Sequence, residues 1–290
     1  MKCELEITNL TPENAQVFEK GASSFLSNAF EQVATQSSDV GMIIIASEDR
    51  IHPVIQSLKP YETIKVNQFS GLISGGITIP RRCDNQTVTS DIVFGKNIFT
   101  TLISDSNKYD LCRLDAFYTI CHEFGHAKDF GLRNETVSII TPTLEPPSPQ
   151  TECDLYGTTC VITEFIAAHH SKCAVSNELF RHHCEMTNVK LQSLILQLRQ
   201  YPHLIPRMLS LLPWTVLAEI ARLYGEAGTQ AMIDSVIQIE RYYLADASLF
   251  DVLKNYLKQY PCWNAEEQRV ELIELFRTVA ARVLGVKNAT

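Results

Sequence analysis

The chain has 290 residues, 45% hydrophobic and 20% charged, which is the make-up of an ordinary globular protein with room for one large domain or a catalytic domain with a helical annex. A net charge of −8, with no basic run interleaved with aromatics, argues against a nucleic-acid partner. No stretch of 18 uninterrupted apolar residues exists, so no membrane span is expected.

Nine cysteines, an odd number without a disulfide-like framework, fit a reducing cytosol and a cytoplasmic location. Acidic residues stand within Met1–Ile7 where a signal peptide needs an apolar core. A secreted effector without a cleaved signal peptide fits the same composition.

In chain order, Cys3, Leu5 and Ile7 alternate with charged neighbours and predict a strand over 2–7. Thr11 and Pro12 suit the N-cap and first position of a helix that should run to about Gln36, with Phe18, Phe25 and Phe30 among its apolar residues. Met42–Ala46 reads as a short, fully apolar strand. Ile77–Pro80 and Asp91–Phe94 read as two more, with Pro80 restricting the first to an edge or a strand end. From Asp110, a plausible N-cap, an apolar stripe at helical spacing runs through Leu111, Leu114, Tyr118, Cys121 and Gly125. The segment from Gly131 to Gln150 holds Pro142, Pro146, Pro147 and Pro149. It should be an extended, stiff connector rather than helix, or a wall over a cleft.

After residue 172 the pattern is helical only. Leu191, Leu194, Ile195 and Leu198 make one stripe. Pro213-Trp214 should open a helix with Leu217, Ile220, Ala221 and Tyr224 inside and Gly225 as its stop. Asn264 to Glu267 resembles a capping box before Val270, Ile273, Leu275 or Phe276, Ala280 and Leu284, and Gly285 should end that helix. No repeat or low-complexity segment is present.

The chemistry concentrates in His122-Glu123-Phe124-Gly125-His126, which reads H-E-x-x-H. Histidines four apart on a helix share one face, where their imidazoles can hold one Zn²⁺. The Glu between them can deprotonate a metal-activated water. The plain alternative is a pair of satisfied core histidines. Two of them one turn apart on an apolar stripe are costly to bury without a partner, which favours the metal. The long form of the motif, with Gly three and His six residues further on, is excluded because Asp129 and Leu132 stand there. A carboxylate on a following helix is the other solution. Glu164 is the leading candidate, because it lies in an apolar run where a metal would supply the missing counter-charge. Glu152 and Asp154, among Thr, Gln and Pro, are the alternatives.

His122 to Asp129, followed by Tyr156-Gly157 and Glu164-Phe165-Ile166-Ala167, resembles the catalytic domain of anthrax-lethal-factor-type metallopeptidases, which are gluzincins. The Glu-x-x-Ala after the motif is also similar to peptidases of the ImmA/IrrE type. The resemblance covers roughly residues 90 to 172. It implies an α+β protein. A zincin-like catalytic domain over 1–172, a small mixed sheet plus an active-site helix, would precede an all-helical part over 173–290. It implies one zinc per chain on His122, His126 and Glu164, with Glu123 as general base and Tyr156 as oxyanion donor. In such enzymes the peptide or protein substrate adds to a sheet edge by main-chain hydrogen bonds, and either strand near Ile77 or Asp91 could serve. Rival readings are a regulatory protease acting on one cytosolic partner, and a zinc-stabilised interaction module with a vestigial site. The intact Glu123 argues against the last.

His169, His170 and Cys173, with His182, His183 and Cys184, invite a second metal site. Their spacing fits no common zinc framework, and adjacent histidines point to different helix faces, so structural roles are expected. Asp129 could orient a ligand imidazole or be a solvated helix-end residue. Cys121 and Cys112 are expected in the core.

Overall fold

The computed structural model describes residues 2–8, 11–58, 75–82, 88–104, 111–133, 149–200, 206–245, 247–261 and 265–284. Side chains are described for these except residues 2, 52, 82, 149–156, 197–200, 206–212, 265–269 and 283–284. The chain packs as two compact units, 1–137 with 173–176, and 138–172 with 177–290.

The first unit is built on a four-stranded mixed sheet. Its strands are β1 (Lys2–Glu6), β2 (Val40–Ala46), β3 (Gly76–Arg82) and β4 (Val88–Gly95), in the order β1-β2-β4-β3. β1, β2 and β4 are parallel, and β3 runs antiparallel to β4. Parallel neighbours need crossovers. The first is α1 (Pro12–Val33), and α2 (Glu48–Ser57) follows β2. The apolar run of β2 is explained by burial of both faces. Ile43 and Ile45 pack with Ile92, Phe94 and the buried side of α1, whereas Ile44 and Ala46 pack with Ile79, Val93 and the α2 residues Val54 and Ile55. Pro80 sits in β3, which is an edge of the sheet among the described residues, as its missing N–H requires.

α1 begins as expected, with the Thr11 hydroxyl accepting from Asn14 N–H at 3.4 Å and Pro12 in the first turn. It ends at Val33 rather than near Gln36. Ala34 adopts the left-handed conformation (φ 54°), and the Asp39 carboxylate takes the Gln36 N–H at 2.9 Å into a turn. The last turn of α1 has no basic residue of its own. The Lys128 ammonium supplies one, donating to the Val33 carbonyl at 2.8 Å.

Two helices were not legible in the pattern. α2 carries Pro53 in its interior, and α3 (Lys96–Ile103) starts directly at the end of β4 with Gly95 as its cap. α4 (Leu111–Leu132) carries the H-E-x-x-H motif, and every residue from Ile120 to Ala127 is buried. Its proposed cap, Asp110, lies outside the described residues. The expected non-helical stretch is narrower than 131–150. Gly131 and Leu132 close α4, and Pro149 and Gln150 open the next helix, where proline's lost N–H costs nothing. Residues 134–148 lie outside the described set.

The second unit is helical. It contains α5 (Pro149–Ser171), α6 (Asn177–Gln200), α7 (Pro206–Glu226), α8 (Gln230–Leu244), α9 (Leu249–Gln259) and α10 (Ala265–Leu284). By packing α5 groups with these later helices, whereas the sequence reading places it with the sheet. Pro213 does not start α7, which opens at Pro206 and carries Pro213 inside. Leu217, Ile220, Ala221 and Tyr224 are buried on it as expected. Gly225 is a contact rather than a stop, since the helix continues to Glu226. A β-carbon at Gly225 would collide with the Phe165 carbonyl oxygen of α5 and lie 2.7 Å from Ala168 Cβ, so α7 seats directly on that helix's backbone. Leu191 and Ile195 of α6 and Leu275 and Ala280 of α10 are buried, but Val270 is exposed. Asn264, Gly285 and the side chain of Glu267 lie outside the described set.

The class is therefore α+β, with a small mixed sheet and only helices after residue 172 among the described residues. No described helix is long and apolar enough to cross a membrane.

Candidate metal centre

The 3.6-residue period of α4 places His122 and His126 one turn apart on the same face. Their rings meet edge to face, with centroids 4.7 Å apart at 86°. Both are buried, at 8% and 9% exposure, and Glu123 is 7% exposed. The hydroxyl of Tyr118, one turn earlier, lies 3.3 Å from His122 Nδ1 and ties down that ring. The ring of His126 stacks on Phe130 at 6.2 Å and 18°.

Asp129 is neither solvated nor seen to orient an imidazole. It is fully buried and holds the Arg133 guanidinium through two hydrogen bonds, one of them Nε to Oδ1 at 2.7 Å. Its charge is answered by Arg133, as a buried carboxylate requires. Arg133 also lies 5.8 Å from the centre of the Phe130 ring.

Glu123 points toward β3. The Thr78 hydroxyl stands 2.7 Å from Glu123 Oε2 and 3.0 Å from the Glu123 carbonyl oxygen. Gly76 lies alongside, where a β-carbon would be 2.6 Å from Glu123 Cγ.

Glu164 sits on α5 among buried Val161, Ile162, Phe165, Ile166, Ala167 and Ala168, and is itself half-buried. One ligand-capable atom from each of His122, His126 and Glu164 lies within 4.8 Å of the others. Among the described residues this is the one group of His, Cys, Asp and Glu side chains that converges to hold a metal ion. Two imidazoles and one carboxylate are a donor set that catalytic zinc takes, with a fourth position left open. Ligand atoms around a tetrahedral zinc stand about 3.4 Å apart. The residues fit the ion.

The side chains of Glu152, Asp154 and Tyr156 lie outside the described set; all three positions are in the first turns of α5. The second histidine–cysteine cluster assembles no such group among the described residues. His170 Nε2 is 3.2 Å from the Tyr260 hydroxyl, and His183 Nδ1 is 2.8 Å from Glu226 Oε2. Burial first, and then the Glu226 charge, push the Cys184 thiol up to about 12, so it holds its proton. Cys121 is a core residue as expected, its thiol pushed up to about 12 chiefly by burial. Cys112 is exposed, which corrects its expected place in the core.

Thr78 and Gly76 escaped the sequence reading. The doublet Gly75-Gly76 ahead of a strand is a signal of close backbone approach. Nothing in the sequence indicates that the neighbour is Glu123. No protein-family model, curated protein or solved structure matches the chain.

Proposed function

We propose that the protein is a zinc-dependent endopeptidase of the gluzincin type, with a zincin-like catalytic part, acting on a peptide or protein substrate in the cytoplasm. The observation that carries this reading is the meeting of His122, His126 and Glu164 beside a buried glutamate in the middle position of H-E-x-x-H. A purely structural metal site has no need of Glu123.

His122, His126 and Glu164 would hold one ion per chain. Bound there, zinc would supply Lewis acidity, polarising a carbonyl and making water a nucleophile near neutral pH. Glu123 would take the proton of the attacking water and pass it to the leaving amine. Tyr156 is assigned the hydrogen bond to the developing oxyanion, a role that rests on the family resemblance. β3, an edge among the described residues and tied to Glu123 through Thr78, is the strand to which an extended peptide would add. β4 is paired on both sides and offers no edge.

The test is cleavage of a fluorescence-quenched random peptide library and of denatured casein by the purified full chain. Activity should vanish on chelation and return with one equivalent of zinc. A zinc-loaded protein that leaves both substrates intact contradicts the proposal.

A further inference from the structure

We infer that Thr78, at the edge of the sheet, is the positioning residue for Glu123, with Gly76 providing the space the glutamate occupies. The inference rests on the peptidase reading above, and Thr78, Gly76 and Glu123 all belong to the first unit.

A general base must be aimed as well as charged. A Glu side chain has three rotatable bonds, and its carboxylate can sweep several ångströms unless something fixes it. Here two features of one strand fix it. The Thr78 hydroxyl donates to Oε2 at 2.7 Å, the length of a strong bond to a carboxylate. That leaves Oε1 as the oxygen that exchanges the proton. The second feature is shape. A β-carbon at position 76 would stand 2.6 Å from Glu123 Cγ, 3.1 Å from its Cδ and 3.0 Å from Phe94 Cδ1. Any residue but glycine there would push the carboxylate off its line or force the strand from α4. Gly75 does the same one turn back, where a β-carbon would lie 2.7 Å from Thr119 Cγ2. Thr119 and Glu123 are four residues apart, so the glycine doublet seats the strand along one face of the helix.

The hydroxyl has a second acceptor. The Glu123 carbonyl oxygen is 3.0 Å away, so the single hydroxyl hydrogen is shared between the backbone and the carboxylate. Thr78 thus ties β3 to both the side chain and the backbone of Glu123. An isosteric valine loses this hold, while serine keeps it.

The test uses the zinc-loaded full chain, with Thr78→Val, Thr78→Ser and Gly76→Ala assayed on the fluorescence-quenched peptide library. Thr78→Val should lower kcat about 10-fold or more with KM within about twofold, because aim and not binding is lost. Thr78→Ser should restore most of the rate. Gly76→Ala should lower kcat at least as far while still binding one zinc. A readout that needs no activity is the double-mutant cycle of Thr78→Val with Glu123→Gln in thermal unfolding, where the paired Tm shifts should fall short of their sum. Thr78→Val with wild-type kcat, or additive Tm shifts, overturns the inference and leaves the peptidase reading standing. A wild-type protein that binds zinc but cleaves nothing overturns the peptidase reading and this role with it, even where the Tm shifts couple.

Discussion

Replacing Glu123 by Gln separates the proton-transfer role from the metal-holding role. The two side chains have nearly the same volume, and Glu123 is buried, so shape is kept. The amide oxygen can still accept from the Thr78 hydroxyl, now 2.7 Å from Oε2, although a neutral acceptor makes a weaker bond than a carboxylate. That weakening costs about 1 kcal/mol, and relief of a desolvated charge offsets part of it, so stability should stay within about 1 kcal/mol of wild type. The three side chains proposed to hold the metal, His122, His126 and Glu164, are untouched. What disappears is the carboxylate proposed to take the proton of the attacking water. General acid–base catalysis contributes roughly 10²- to 10⁴-fold, or about 2.7 to 5.4 kcal/mol of barrier. The variant should therefore retain one zinc per chain and a near-normal Tm while kcat on the peptide library falls by about 10²-fold or more. Metal content by elemental analysis, Tm by calorimetry and rate by fluorescence are read on one preparation. A rate within threefold of wild type refutes the assignment of Glu123 as base, and loss of zinc with the rate makes it a support of the site instead.

Gly225→Ala gains about 1 kcal/mol of helix propensity but drives a methyl into the Phe165 carbonyl and to within 2.9 Å of His169 N. Those are backbone atoms that cannot rotate away, so overpacking of about 3 kcal/mol should win, and a urea midpoint equal to wild type would refute it. Glu240 is buried, accepts from the Tyr224 hydroxyl and takes the Leu249 N–H at 3.0 Å, and burial holds its carboxyl above the ordinary 4.5. Its folded form binds the proton more tightly than its unfolded form, so its contribution is fully present below about pH 4.5 and is lost as pH rises through the folded-state value. Glu240→Gln should therefore gain stability relative to wild type as pH rises from 4.5 toward neutrality, and parallel stability–pH curves would refute this. Iodoacetamide should label exposed Cys112 and Cys173 well before buried Cys121, and equal labelling rates in the folded protein would contradict that placement.

The legible parts of the sequence were those in which one local rule decides. Thr11-Pro12 marked a helix start because cap chemistry acts over three residues. Met42–Ala46 read as a strand because a sheet covered on both faces accommodates a short continuous apolar run. Pro80 marked an edge because it has no N–H to give. That His122 and His126 share a face was legible from their spacing, and Glu164 as a partner from the cost of a carboxylate in an apolar run. The misses needed tertiary information. α2 tolerates Pro53 because Val54 and Ile55 bury against the sheet, which outweighs local propensity. The start of α7 lies seven residues before Pro213, which reads as a boundary until the helix is seen to pass through it. Asp129 read as either an imidazole-orienting carboxylate or a solvated helix-end residue, but its partner Arg133 makes it a buried ion pair. The Thr78–Glu123 bond joins residues 45 apart in sequence, beyond the reach of any local pattern.

The most direct test of the central claim is the zinc content of the purified full chain after zinc loading and removal of free metal, beside His126→Ala and Glu164→Ala. One zinc per wild-type chain is expected, with none retained by His126→Ala and a weakened, readily chelated ion in Glu164→Ala. The metal-loaded wild type should also unfold at a higher temperature than the stripped protein, because bound metal stabilises the folded state. A zinc-loaded wild type without bound metal, or a Glu164→Ala variant that holds zinc as tightly as wild type, would contradict the site.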